Sequence, residues 1–232
     1  MKRLTQWLTL IIVTSINIAN YGQEATELLQ PDFAKLSTQD KLKRFINALQ
    51  ASENFQNYQA IIKIAKADQA LLKEMSTADT IDSVVASLRK QNLLGQLSDW
   101  IFVILMFSEF PGTQAWLKKQ LQQNQFTKND LQQFVFSLIN GPYFPEVIIK
   151  ALKTIFALDI SVNIQNNVGY TPLMQAINNQ QEQIITFLLK NYPKIDLKIS
   201  GTDGRTALDL AQATGNKKII DLIKKTENKN NQ

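Results

Sequence analysis

Apolar residues recur along this chain at the spacing of amphipathic helices. One such segment places positions i, i+3, i+4 and i+7 at Leu42, Phe45, Ile46 and Leu49, and similar stripes follow through most of the chain. No segment alternates polar and apolar residues over the length that a sheet strand requires. The pattern therefore predicts an all-α protein, a helix-pair solenoid whose helices are joined by short turns.

The most apolar run outside the N-terminal segment is Trp100–Phe107, which Asp99 and Glu109 bound. A helix of this length cannot span a bilayer, because a transmembrane helix needs about 20 residues. The run therefore predicts a helix buried on all sides in a core. A membrane-seeking or partner-binding segment is the alternative interpretation.

Residues typical of helix ends divide the chain that follows. Pro111-Gly112 and Gly141-Pro142 each end a helix, and Pro145 begins another. Thr127 and Asp130 have the spacing of a capping box with Asp in place of Glu. The second half of the chain is thus predicted to consist of short, well-delimited helices.

One unit occurs twice between Asn163 and Lys225. The positions that recur 35 residues apart are Gly169 and Gly204, Thr171 and Thr206, Leu173 and Leu208, Ala176 and Ala211, and Ile184 and Ile219. A sequence period of this size indicates repeats that must stack, because one unit alone cannot bury a core.

Each recurring position has a mechanical explanation. The two glycines lie where a tight turn needs a positive φ, and the two threonines follow where a helix needs an N-cap. Pro172 falls at the first helical position, where its missing N–H costs nothing. The isoleucines give a second helix an apolar stripe. The unit is therefore predicted to be a turn followed by two helices.

The unit resembles the ankyrin repeat, whose pattern is G-x-T-P-L-H-x-A. The first copy reads G-Y-T-P-L-M-Q-A over 169–176, and Ile160–Asn163 resembles the polar tail of the family. Met174 and Asp209 replace the family's His, so its polar link to the Thr is absent or altered. Extra residues near Tyr192–Lys194 stretch the usual spacing.

Residues 130–163 form a degenerate third unit in this interpretation, because their helices lead into Val162-Asn163. A helical N-terminal block would cover the open end of the repeats, as the terminal units of a stack must.

The resemblance implies a non-catalytic module that binds a protein partner through its turn tips and a concave helix face. It implies eight partner-binding residues, none of them needed for the core. Six project from the stack along one edge: Asn167, Val168, Tyr170, Thr202, Asp203 and Arg205. Asn178 and Thr214 continue this edge along the concave face. Tyr170 and Arg205 are expected to dominate, since Tyr and Arg are enriched at interface hot spots. In the alternative, Tyr170 only packs against the neighbouring turn and Arg205 pairs with Asp203.

Composition excludes several kinds of chemistry. The chain has no Cys and no His, which rules out disulfides, thiolate nucleophiles, Cys/His zinc sites and Ser-His-Asp triads within it. Asp79 and Asp82 are paired carboxylates at a predicted helix start, where they suit the helix dipole. We therefore expect no catalytic residue, no cofactor and no metal.

The net charge of +5 does not by itself indicate a nucleic-acid site, because part of it lies in Lys2 and Arg3 and part in the C-terminal tail. The lysines between Lys217 and Lys229 lack the interleaved aromatic residues that base stacking requires, so they are interpreted as a solvated helix face. We expect a protein partner and no nucleic acid.

The N-terminus has the pattern of a secretory signal peptide. Lys2-Arg3 precedes the apolar stretch Leu4–Ala19, and the cleavage signal near Gly22 is weak. An uncleaved membrane anchor and an amphipathic first helix are the alternatives. We expect export to the periplasm or the exterior, and no membrane contact of the mature form unless the leader is uncleaved.

The predicted organisation has five parts. They are a signal peptide or anchor at 1–22, a linker at 23–36, a helical N-terminal block at 37–129, ankyrin repeats at 130–225 and a disordered polar tail at 226–232.

Two functions of different class fit this organisation. The first is the binding module. The second is a secreted effector or toxin-like protein whose N-terminal block carries an activity and whose repeats target it.

Export predicts a shortened chain. Mass spectrometry of the protein isolated from its native source should find an N-terminus between about Ala19 and Ala25, because signal peptidases cut after the apolar segment. An intact Met1 in a soluble cytosolic fraction would contradict export.

Overall fold

A computed structural model of the chain describes residues 32–51, 55–90 and 99–230, together with Leu28 and Gln30. The predicted leader at 1–22 lies outside the described residues. The chain divides into two compact units between Lys119 and Gln120. The predicted start of the repeats at residue 130 lies within the second unit.

The regular secondary structure in the described residues of unit 1 is all helical. After a 3₁₀ turn at Phe33–Lys35 its helices are α1 (Thr38–Ala51), α2 (Phe55–Ala67), α3 (Gln69–Glu74), α4 (Ala78–Lys90), α5 (Asp99–Phe107) and α6 (Gly112–Gln122), the last of which continues past Lys119.

The core of unit 1 contains the apolar run that the sequence singles out. Residues 103–107 of α5 are all buried, as predicted, whereas Trp100 and Ile101 at its start are half-buried. Phe107 forms an aromatic cluster with Phe45 and Phe110, whose ring centroids lie 5.7 to 6.3 Å apart. Among the described residues, no helix combines the length and the apolar content that crossing a bilayer would take.

The predicted linker at 23–36 is in part a component of unit 1. Leu28 and Phe33 are buried, with 3% and 5% of their surface exposed. Asp32 accepts two hydrogen bonds from Arg44, at 3.2 and 2.8 Å. The described end of this segment therefore packs on α1, because two apolar side chains outweigh its polar composition.

A partly buried ion pair lies beside the same segment. Lys41 Nζ is 2.7 Å from Asp68 Oδ2, and the Lys41 ammonium lies 5.7 Å from the centroid of the Phe33 ring. The other oxygen of Asp68 accepts from the Leu71 backbone N–H at 2.9 Å and caps α3. The pair thus fixes α1 against the start of α3, although a buried pair adds little net stability.

Unit 2 consists of three helix pairs. The pairs are α7 (Lys128–Asn140) with α8 (Pro145–Phe156), α9 (Pro172–Asn178) with α10 (Glu182–Asn191), and α11 (Ala207–Thr214) with α12 (Lys217–Asn230). We call them repeats 1, 2 and 3. The first helices α7, α9 and α11 pack side by side in one layer, and the second helices in another. The prediction of an all-α helix-pair solenoid is confirmed.

The predicted helix caps are present. Thr127 and Asp130 form a reciprocal capping box at α7, and Thr206 and Asp209 form another at α11. At α9 the Thr171 side chain accepts from the Met174 backbone N–H, and the Met174 side chain is buried. The family's His–Thr link is therefore altered in repeat 3 and absent in repeat 2, as expected from the two replacements.

The turn glycines have the positive φ that the sequence predicted. Gly169 and Gly204 have φ of 75° and 76°. At Gly169 the space is also restricted, because an added Cβ would lie 2.9 Å from the backbone nitrogen of Thr202. This turn needs glycine both for its conformation and for the approach of the next turn.

The extra residues after α10 are accommodated by an aromatic contact. The Tyr192 ring packs edge-on against Phe156 and Phe187, with centroids 5.1 and 5.6 Å away. Burial raises the pKa of the Tyr192 hydroxyl. The longer connection is thus anchored by packing between repeats 1 and 2.

The C-terminal tail is more ordered than the sequence predicted. Helix α12 continues to Asn230, whereas 226–232 was expected to be disordered. The Thr226 hydroxyl donates to the Leu222 carbonyl at 2.9 Å inside this helix, and lysines favour helix propagation. Residues 231 and 232 lie outside the described part of the chain.

Equivalent leucines of repeats 2 and 3 should differ in their effect on stability. Leu173 is 2% exposed, whereas Leu208 is half-buried. Leu173→Ala should lower the free energy of unfolding by about 2 to 5 kcal/mol, because it leaves a cavity. Leu208→Ala should lower the free energy of unfolding by a clearly smaller amount. Urea titrations followed by circular dichroism measure both, and equal losses would show that repeat 3 is covered as fully as repeat 2.

Candidate protein-binding surface

The turns that precede α9 and α11 lie side by side. Each is closed by a backbone hydrogen bond, from Gly169 to Asn166 and from Gly204 to Gly201. The Val168 carbonyl then accepts from both the backbone N–H and the hydroxyl of Thr202, at 3.0 and 3.2 Å. The two turn tips therefore form one continuous edge of unit 2.

Three side chains join the tips and form the cluster that we call the turn tie. The Tyr170 hydroxyl donates to Asp203 Oδ2 at 2.7 Å, and Arg205 Nη2 donates to the Tyr170 hydroxyl at 2.8 Å. Arg205 Nε also donates to Asp203 Oδ2, at 2.8 Å. Each member contacts the other two, so the tie fixes the relative position of repeats 2 and 3 at this edge.

The tie corrects the expectation for Tyr170. This side chain was predicted to project from the stack without contributing to the core, yet only 7% of its surface is exposed. Its ring lies over Gly201, where an added Cβ would come within 2.6 Å of the ring. The alternative interpretation describes the contacts correctly: Tyr170 packs on the neighbouring turn, and Arg205 pairs with Asp203.

The electrostatics of the tie follow from its hydrogen bonds. The Tyr170 hydroxyl and the backbone and side-chain donors of Arg205 lower the pKa of Asp203 to about 2. The same carboxylate, as acceptor, raises the pKa of Tyr170. Asp203 is therefore ionised and Tyr170 neutral at physiological pH.

A second link between repeats 2 and 3 was missed by sequence reasoning. Asn163 donates from Nδ2 to the Lys194 carbonyl at 2.9 Å and accepts at Oδ1 from the Asp196 backbone N–H at 3.0 Å. Asn163 stands at the end of the polar tail Ile160–Asn163, and this position is the sequence signal that could have indicated the link. One amide side chain thus holds the backbone of the next repeat's tail at two points.

The other predicted binding residues divide into two groups. Asn167 and Val168 are exposed at the turn edge beside Thr202, and Val168 has 50% of its surface accessible. Asn178 is exposed at the far end of α9, and Thr214 is half-buried at the far end of α11, with its hydroxyl bonded to the Ala211 carbonyl at 2.7 Å. The structure therefore brings the turn residues together but places Asn178 and Thr214 at the opposite ends of these helices.

A series of side-chain amides on the first helices was also missed. Asn166 donates to Gln175, Gln175 donates to Asn179, and Asn179 donates to Asn140, at 3.1, 3.2 and 3.0 Å. Asn179 and Gln181 also donate to the Ile139 carbonyl near the end of α7. The high Asn and Gln content of the chain was the only sequence signal for this series. The helix pattern alone does not show that these amides lie on one face.

The paired carboxylates Asp79 and Asp82 of α4 have structural partners. Asp82 accepts from the Trp116 indole at 2.9 Å, and Lys119 donates to Asp79 at 3.1 Å. In the part of the chain that the structure describes, no three acidic side chains lie close enough to hold a metal ion. Asp79 and Asp82 therefore link α4 to α6 through these two contacts.

A comparison with protein families finds a match in this part of the chain. Residues 129–232 match the model for ankyrin repeats, in three copies. A search of curated proteins gives no match to the chain. Residues 129–232 therefore contain ankyrin repeats, and the degenerate third unit predicted at 130–163 is confirmed. Ankyrin repeats are generally protein–protein interaction modules and typically non-catalytic.

The turn tie should make stability depend on acid pH. A depressed native pKa means that the tie stabilises the fold above the unfolded pKa of Asp203, 3.8, and loses this contribution as the pH falls toward 2. Asp203→Asn should therefore lower the melting temperature at about pH 5 and show a shallower fall than the parent chain between about pH 4.5 and 2.

The matched control is Asp221→Asn on the exposed face of α12. This variant should follow the parent chain over the same pH range. Parallel melting curves for the parent chain and Asp203→Asn would mean that the tie contributes nothing to folding.

Proposed function

We propose that this chain is an exported, non-catalytic ankyrin-repeat protein that binds a protein partner through its turn edge and the face of its first helices. The single observation that carries the proposal is the turn edge itself. Val168 is half exposed there beside exposed Asn167, on turns that the tie of Tyr170, Asp203 and Arg205 fixes in place.

The fixed turns support binding because a preorganised surface loses little conformational entropy when a partner binds. Val168 also has no role in the core that would explain an exposed aliphatic side chain at a turn tip. Its carbonyl accepts a hydrogen bond from Thr202 in the next turn, whereas its side chain is exposed and can contact a partner. The proposed partner-binding set is thus led by Asn167 and Val168, with Thr202 beside them and Asn178 at the far end of α9.

Tyr170, Asp203 and Arg205 have a supporting role in this proposal. Their contacts are made within unit 2, and a change at Tyr170 would affect the fold as well as binding. Export is proposed from Lys2-Arg3 and the apolar segment that follows, which lie outside the described residues.

The binding edge is tested by two substitutions that spare the fold. Crosslinking and capture from the native source first identifies a partner. Asn167→Ala with Val168→Ala should then weaken its binding by about 1 to 2 kcal/mol, which is roughly 5- to 30-fold, and leave the melting temperature unchanged.

Gln183→Ala, on the exposed surface of α10, is the control and should bind as the parent chain does. Capture of no partner by the parent chain would count against the proposed function. Equal affinity of the double variant and the control would place the binding site elsewhere.

A further inference from the structure

Charged residues are distributed unequally between the two helix layers of unit 2. Helix α9 has no charged residue, and α11 has only Asp209. Helix α7 has Lys128 and Asp130 in its first turn, and both aspartates are engaged in capping boxes. The second helices instead contain these lysines: Lys150, Lys153, Lys190, Lys217, Lys218, Lys224, Lys225 and Lys229.

The exposed surface of the first helices is lined by side-chain amides. We call Gln133, Asn140, Gln175, Asn178 and Asn179 the amide strip; Gln175 is half-buried and the others are exposed. The contacts from Gln175 to Asn179 and from Asn179 to Asn140 run along it across repeats 1 and 2. Asn166 orients Gln175 from the turn side. The linked amides are thus held in fixed positions before any partner binds.

The two layers differ in what it costs to remove their water. Desolvating a lysine is expensive unless an opposite charge replaces the water, whereas an amide needs only a hydrogen-bond partner. The centres of protein interfaces are accordingly depleted of charged residues. The first-helix layer is therefore the face of unit 2 that a partner can cover at the lower cost.

The chemistry of an amide limits what can replace its water. Each side chain offers both N–H donors and a carbonyl acceptor, and carries no charge. The backbone of an extended polypeptide offers the same two groups at every residue. An acidic or basic partner would leave its charges opposite a strip that has none to pair with.

We propose that the amide strip binds an extended, uncharged segment of a partner protein through the main chain of that segment. This inference rests on the proposed function and adds the class of partner and the mode of recognition. The amide groups of the strip that are not bonded within the fold supply donors and acceptors to the peptide backbone, and the low charge of the face selects against charged segments.

The probe is a displayed library of random linear peptides, selected on the full chain. Enriched peptides should have a net charge near zero. Their affinity, measured by calorimetry, should change by less than about threefold between low and high salt, because no ion pairs form. A peptide with N-methyl groups on alternate backbone amides should bind at least about 10-fold more weakly, since backbone donors are removed.

Matched substitutions locate the site. Gln133→Glu and Asn178→Asp each add a charge to the strip with almost no change of shape, and each should weaken the peptide by at least about 10-fold. Gln183→Glu adds the same charge to exposed α10 and should leave affinity unchanged. Melting curves of all three variants show that the fold is retained.

Several results would overturn the inference. These are the enrichment of no peptide, enrichment of charged peptides with salt-dependent affinity, equal binding of the N-methylated peptide, or equal binding by Asn178→Asp. If the parent chain captures a native partner while one of these results is obtained, the strip proposal fails and the proposed function stands. If the native source yields no partner, it is the proposed function that fails.

Discussion

Each helix pair of unit 2 has apolar side chains that it cannot bury alone, and this constraint governs the whole unit. Repeat 2 shows it best, because Leu173, Ile177, Ile185 and Leu188 are all almost fully buried. Burying side chains of this size contributes roughly 1.5 to 3 kcal/mol each, far more than the exposed polar contacts around them. The polar links between repeats therefore set the register of the stack, while apolar packing holds it together.

Much of unit 2 could be predicted from the sequence because its signals are local. A cap needs a Thr and a group three residues later, and a tight turn needs a glycine such as Gly169. The 35-residue period then shows that the units stack. Asp209 is an example of such a local signal. It replaces the family's His, and this replacement correctly indicated an altered link to Thr206.

The errors arose where the outcome depends on residues distant in sequence. Phe33 lies in a polar segment, and nothing local shows that it packs beside Lys41. Tyr170 stands at a position that varies among ankyrin repeats, but its hydroxyl meets Asp203 in the following turn. For the same reason the amide series was missed, because spacing within one helix cannot place Asn179 near the end of α7.

Leu208 is only half-buried, and the exposed residues near it in repeat 3 are polar. This difference from repeat 2 has a wider consequence. Met174, Ile177 and Leu189 are buried in repeat 2, and the residues 35 positions later are Asp209, Gln212 and Lys224, all exposed. Another helix pair stacked on this side would have to bury the charged groups of Asp209 and Lys224, which are now exposed. The outer side of repeat 3 is thus suited to contact with water, and it protects the protein from the end-to-end association to which stacked repeats are otherwise prone.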